Sequence, residues 1–405
     1  MRAYERLLKY VVIHTTSDEE VEKTPSTDRQ FNLAKLLVTE LKELGISDAD
    51  VDEHCYVTAH IPATKGFDNA PKIGFIAHLD TAPDSSGENV KPVIHENYDG
   101  NSLDIGTGRT LSTELFPHLK DLKGRTLITT DGSTLLGADD KAGIAEIMTM
   151  AETLIKDEIP HGEICIAFTP DEEIGHGAEL LDLERFGADF AYTVDGGPEN
   201  EIEYENFNAA KAVFKIKGVS VHPGDAKNRM VNAGLVACEI ASMLPSAETP
   251  AHTEDREGFY HLTDIKGDVE NAEIDYIVRD HDAGLFAAKL ETLKKIEKIL
   301  NEKYGAGTID LKITEQYRNM IEKILPHMHI VDTAKACIKV QGIEPMDVPV
   351  RGGTDGARLS FRGLPCPNLG TGGYAYHGPF EHITAEGMDI VVKVLCSIVK
   401  EYSKR

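Results

Sequence analysis

The chain reads as an α/β protein: a mixed, largely parallel sheet flanked by helices, with a smaller α+β unit inserted into it. Three observations predict this. Short unbroken apolar runs at 73–77, 164–168 and 190–194 have the length of buried strands. A helix-like stretch at 142–155 separates the first two, and alternation of strand with helix is the pattern of a parallel layer. From about 209 to 317 the order changes to β-α-β-β-α-β, a compact unit able to fold alone.

Taken along the chain, residues 2–13 form a short amphipathic helix. A second helix follows Pro25; Thr27 and Gln30 have the spacing of a capping box. Leu33, Leu37, Leu41 and Leu44 recur on one side of it, and Gly45 is placed to end it. Residues 81–130 are turn-rich and read as a loop or small subdomain over the site. In the inserted unit, strand 212–216 precedes helix 231–243. Strands 260–265 and 272–278 follow, then helix 283–304 with Leu290, Leu293, Ile296 and Leu300 on one face, and a last strand at 308–313. The first domain resumes near Arg318. This gives a discontinuous first domain (1–208 and 318–405), the one that carries the clusters described below, and an inserted domain (209–317).

Bulk properties narrow the function. Lys and Arg number 42 against 68 Asp and Glu, a net charge of −26. Nucleic acid and anionic membrane call for basic patches, so neither is an expected partner. No stretch approaches the ~18–20 apolar residues of a membrane span, and the first residues lack the apolar core of a secretory signal. The six cysteines are scattered and form no C-x-x-C pair, which argues against a disulfide framework or thiolate metal site and for a cytoplasmic location.

Three clusters carry chemistry, each just after a predicted strand, where open α/β sheets collect ligands. In Ile73-Gly-Phe-Ile-Ala-His78-Leu-Asp80 a strand delivers His78, and Asp80, two residues on, points to the same side. Asp80 can accept the second ring N–H of His78 and make it a better metal ligand. Leu135-Leu-Gly-Ala-Asp139-Asp140-Lys-Ala-Gly leads into a helix, where aspartates also suit the helix dipole. Phe168-Thr-Pro-Asp171-Glu172-Glu173 sets three carboxylates in a row, which repel one another unless cations compensate. Asp195 adds a carboxylate at a strand end, and His377 follows a Gly-rich loop. Each alone has an ordinary explanation as a capped turn or a solvated acidic loop. Together, imidazole and carboxylate donors without thiolates suit Zn²⁺, with Mn²⁺ or Co²⁺ as substitutes. Glu172 is left over for a different task, that of general base.

With these residues in view, the chain resembles the M20 metallopeptidase family over nearly its whole length. The likeness rests on the segments above together with Tyr-Thr-Val-Asp195-Gly-Gly, Val-His222-Pro-Gly, Arg351-Gly-Gly-Thr-Asp-Gly and Gly-Gly-Tyr-Ala-Tyr-His377-Gly. The resemblance implies a zinc-exopeptidase-type fold whose inserted unit is a lid or dimerisation domain. It implies an aminopeptidase that removes the N-terminal residue of tripeptides, with two Zn²⁺ per subunit and a homodimer as the expected assembly. His78 and Asp195 would bind one zinc, Glu173 and His377 the other. Asp139 would bridge both, joined to Asp140 by a peptide bond that is cis in the family. Asp80 would orient His78 and Glu172 would be the catalytic base. His222, Arg279 and Arg351 would contact substrate: His222 at the developing oxyanion, the arginines at the terminal carboxylate. An M20-type dipeptidase, an N-acyl amino acid amidohydrolase and, more remotely, a non-catalytic peptide-binding protein are the alternatives. Serine chemistry is disfavoured, since no G-x-S-x-G motif is present.

Overall fold

In the computed structural model, which describes residues 1–404, the predicted apolar runs form the centre of an eight-stranded sheet. Its strands run in the spatial order Asp50–Val51, Val57–Ile61, Ile164–Thr169, Ile73–His78, Phe190–Gly196, Asn368–Gly370, Glu201–Glu203 and Met346–Asp347. Ile73–His78 lies parallel to both Ile164–Thr169 and Phe190–Gly196, and Asn368–Gly370 is parallel to the latter. Val57–Ile61 is antiparallel to Ile164–Thr169, so the sheet is mixed. Every residue of Ile73–His78 and Ile164–Thr169 is buried, as expected of strands covered on both faces.

Helix Ala138–Lys156 packs on the central strands and against helices Ala3–Tyr10 and Ala385–Tyr402. Its approach to the sheet is close enough to require glycine: a Cβ on Gly143 would stand 1.9 Å from the carbonyl oxygen of Val194. The first helix is shorter than its apolar pattern implies, ending at Tyr10. The second spans Gln30–Glu43 and buries Leu33, Leu37 and Leu41. The capping box read from Thr27 and Gln30 does not form. Thr27 Oγ1 donates to the carbonyl of Thr16, and the Gln30 amide reaches Asp171 at 2.7 Å.

Residues 81–130 form a subdomain. Strands Pro92–His95 and Leu127–Thr130 join His382–Thr384 and Gly373–Tyr374 in a four-stranded sheet. Leu103–Gly106 and Arg109–Leu111 make a hairpin beside it. Tyr98, Ile105, Leu111, Leu119, Leu122 and Leu127 are its apolar cluster.

The chain divides into two compact units. One comprises 1–204, 322–348 and 354–405; the other comprises 205–321 with 349–353. In the second, strands Phe259–Gly267, Asn271–Asp280, Asn208–Lys217 and Ile309–Tyr317 pair antiparallel in that order. Alternate residues on one face (Ala212, Phe214, Ile216, Ile274, Tyr276) are buried with Val236 and Ile240 of helix Ala233–Met243 and Leu293, Ile296 and Leu300 of helix Ala283–Tyr304. Both helices start on side-chain caps: Asn232 accepts from Leu235 N at 3.1 Å and Asp282 from Leu285 N at 2.8 Å.

Candidate metal centre

The site is assembled at the carboxyl ends of the parallel strands. His78 ends its strand and Asp195 lies next to the end of Phe190–Gly196. Glu172 and Glu173 open a short 3₁₀ turn after Ile164–Thr169. Asp139 and Asp140 stand in the first turn of Ala138–Lys156, where their backbone angles are not helical, and the peptide bond between them is cis. His377 lies between Gly373–Tyr374 and His382–Thr384 with φ of 63°, a left-handed conformation unusual for a residue with a Cβ.

These elements bring His78, Asp139, Glu173, Asp195 and His377 together. Asp139 is central: Oδ1 lies 2.9 Å from Nε2 of His78, and Oδ2 lies 3.3 Å from Nε2 of His377. Asp195 Oδ1 is 3.4 Å from the same His78 nitrogen, and Glu173 Oε2 is 3.0 Å from that of His377. One carboxylate thus faces two imidazoles, each of which faces a second carboxylate. Nδ1 of His78 lies 3.1 Å from the carbonyl oxygen of Asp80 and 3.3 Å from its carboxylate. That carboxylate also accepts from the backbone N–H of Glu172 at 3.0 Å and of Glu173 at 3.2 Å. Asp80 is therefore a joint between the histidine strand and the acidic turn, a link its sequence position does not reveal.

The electrostatics show a cluster with too much negative charge for its own groups. Burial works against a charged His78, yet Asp195 and the hydrogen bonds to Asp139, Asp195 and Asp80 hold it well above the ordinary imidazole value. Contacts with Asp139 and Glu173 push His377 up to about 11. Burial, then the neighbouring Asp139, pushes Glu173 up to about 8. Burial pushes Asp195 up to about 6. Glu172 is raised well above the usual carboxylate range by burial and then by the charge of Asp195. A buried Glu173 oxygen, Oε1, has no hydrogen-bond partner.

These features fit divalent cations, which would neutralise the carboxylates and give that oxygen a partner. Among the described residues, ligand atoms of His78, Asp139 and Glu173 lie within 4.8 Å of one another, as do those of His78, Asp140 and Asp195. Asp140 is the poorer donor of the two aspartates. It is fully buried, and its oxygens already accept from the backbone N–H of His78 at 3.1 Å and of Gly143 at 3.2 Å.

His222, Arg279 and Arg351 all lie in the second unit. His222 is exposed, and its Nδ1 accepts from Gly224 N at 3.2 Å. The Arg279 guanidinium stacks over Tyr317 at 5.0 Å and donates to Gln316 at 3.0 Å. Arg351 was expected with the catalytic segment by its place in the sequence, but it packs in the second unit. Its guanidinium lies over Phe207 and Phe259 and donates to Thr253 and to the carbonyls of Asp255 and Glu257.

Sequence reasoning missed several supporting residues. Asp171 is fully buried with φ of 55°. Its carboxylate accepts from Ser26 N and Oγ, each at 2.6 Å, and from Gln30, which clamps the turn carrying Glu172 and Glu173. Thr169 Oγ1 donates to Asp355 at 2.8 Å, and Asp355 lines a small cavity with His78, Glu172 and Asp195. Glu381 accepts three backbone N–H groups around Asp139. Only the run of acidic residues at 171–173, and the segment Arg351-Gly-Gly-Thr-Asp-Gly that contains Asp355, hinted at any of these.

Comparison with known proteins shows the family of the chain. The model of peptidase family M20/M25/M40 matches residues 131–401. The chain is 54% identical to peptidase T of Alkaliphilus oremlandii over 99% of both chains. It is 56% identical to peptidase T of Desulfitobacterium hafniense over 99% of this chain and 98% of the relative. Among solved structures, the aminopeptidase PepT from Bacillus cereus superposes with a TM-score of 0.79 at 24% identity, over 99% of this chain and 98% of that one. A Staphylococcus aureus tripeptidase gives 0.79 at 21% identity, over 100% and 98%. With a matching family model over most of its length and relatives this similar end to end, the chain belongs to peptidase family M20/M25/M40.

Proposed function

We propose that this chain is a metal-dependent aminopeptidase that removes the N-terminal residue from tripeptides. The observation that carries the reading is Asp139 set between His78 and His377, each backed by a further carboxylate, with Glu172 on the same turn as Glu173. Full-length likeness to peptidase T proteins supports the substrate class.

His78, Asp139 and Asp195 would hold one Zn²⁺, and Asp139, Glu173 and His377 the other, with Co²⁺ or Mn²⁺ as substitutes. Bound there, the cations supply Lewis acidity, which polarises the scissile carbonyl and makes water acidic near neutral pH. The protein's own groups do the rest. Asp80 holds the backbone of Glu172 and Glu173 and faces the His78 ring, so base and ligand keep one geometry. Glu172 takes the proton of the attacking water and returns it to the leaving amine as the C–N bond breaks. On chemistry and family pattern alone, His222, Arg279 and Arg351 are assigned to substrate: an imidazole at the oxyanion, guanidinium groups at the terminal carboxylate. No described helix is long and apolar enough to cross a membrane, and no disulfide joins the six cysteines. We place the enzyme in the cytoplasm, acting on short peptides; a homodimer is proposed from the family pattern.

The test is product release from Ala-Ala-Ala and its N-acetylated form, before and after chelation and zinc restoration. Release of Ala plus Ala-Ala, only from the unblocked peptide and only with metal, is expected. Release of acetate from the acetylated peptide would make the chain an amidohydrolase of this fold, and release of Ala from it a carboxypeptidase.

A further inference from the structure

We propose that Glu381 is a positioning residue of the metal centre, fixing Asp139 relative to His377. The inference rests on the metal-centre reading above. Glu381 is 1% exposed. One of its oxygens, Oε2, accepts from Leu136 N at 2.7 Å and Gly137 N at 2.8 Å; the other, Oε1, accepts from Asp139 N at 3.0 Å. Its own N–H donates to the carbonyl of Gly378 at 3.1 Å, so it belongs to the turn that carries His377. One carboxylate thus joins the segment holding the shared aspartate to the loop holding a histidine 238 residues further on.

The chemistry of the contact is selective. Gly137 adopts φ of 78°, and the turn it makes directs its own N–H and those of Leu136 and Asp139 at one anion. Buried N–H groups without an acceptor are costly, so the turn needs an acceptor at both oxygens. Glutamine offers one acceptor oxygen and sets an NH₂ group against an N–H. Aspartate keeps both oxygens on an arm one methylene shorter. Glu381 spends both oxygens on the backbone, so it acts through Asp139 and His377.

The experiment titrates Zn²⁺ into the full-length chain, stripped by chelator, against a colorimetric competitor. Wild type is compared with Glu381→Gln and Glu381→Asp, and the visible spectrum of each Co²⁺ form is recorded. Outer contacts of this kind are worth ~10–100-fold in metal affinity. In Glu381→Gln at least one of the two affinities is expected to fall by that factor, with a changed Co²⁺ spectrum, and in Glu381→Asp by less. Unaltered affinities and spectrum in Glu381→Gln would overturn the proposal, even if its melting temperature drops, because the residue would then be structural only. Should Glu381→Gln yield no folded protein, Glu381→Asp decides by the same readout: wild-type affinities and spectrum overturn the proposal. Failure of wild type to bind zinc is a separate result and would sink the metal-centre reading itself.

Discussion

The two units treat polar groups in opposite ways. In the second, charge and apolarity alternate along the strands. Lys211, Lys215 and Lys217 of Asn208–Lys217 are exposed, while Ala212, Phe214 and Ile216 enter the core. In the first, the strands are apolar along their length and then release a histidine and several acids into a buried cluster at one end. There one buried Glu173 oxygen lacks a partner, and carboxylates crowd one another. The first arrangement costs stability unless cations are bound; the second is what packing alone favours. The difference separates residues kept for chemistry from residues kept for the fold.

The sharpest way to test that separation is Glu172→Gln. General-base catalysis contributes ~10²–10⁴-fold, so kcat for Ala-Ala-Ala should fall by that much while zinc stoichiometry stays at the wild-type value. Because burial and then Asp195 disfavour the charged form of Glu172, a neutral amide suits the site, and the chelated variant should melt no lower than the chelated parent. Near wild-type turnover in the zinc-loaded variant would end the assignment of Glu172 as base.

Phe214→Ala probes the other unit. The ring is fully buried and meets Tyr276 edge-on at 6.5 Å. Truncating a buried phenylalanine costs ~3–5 kcal/mol. Unfolding by urea should show that loss, with zinc stoichiometry untouched. A loss of zinc in this variant would mean that the metal centre does not depend on the first unit alone.

The same contrast explains what the sequence revealed. The second unit was legible because its signals are local. Helix 283–304 was read to the residue, and strands predicted at 260–265 and 272–278 appear as Phe259–Gly267 and Asn271–Asp280. Alternation and capping act over a few residues, so a linear reading captures them. In the first unit the central strands were equally legible, since a continuous apolar run has few other uses. The short pairings Asn368–Gly370, Glu201–Glu203 and Met346–Asp347 were not, because two or three residues carry no periodicity. The supporting contacts escaped for a different reason. Asp171 meets Ser26 and Gln30 across more than 140 residues, and Glu381 meets Asp139 across 242. Nothing local marks such partners, and in one case a local rule misled: Thr27 and Gln30 have capping-box spacing, but Gln30 is committed to Asp171. There the residue serves the turn bearing the proposed base.

The smallest expected effect is also local. Asp282 caps helix Ala283–Tyr304 by accepting from Leu285 N at 2.8 Å, and its charge lies at the positive end of the helix dipole. Replacing such a cap by alanine costs ~1 kcal/mol. Asp282→Ala should therefore lower the urea midpoint with an unchanged slope, while Asp282→Asn, which keeps the accepting oxygen, should lie between it and wild type. Removing a carboxylate here weakens the fold, whereas replacing the one at Glu172 by an amide is expected to cost the metal-free fold nothing. If Asp282→Ala left the midpoint unchanged, the cap would contribute nothing measurable. Helix Ala283–Tyr304 would then be held chiefly by its apolar face.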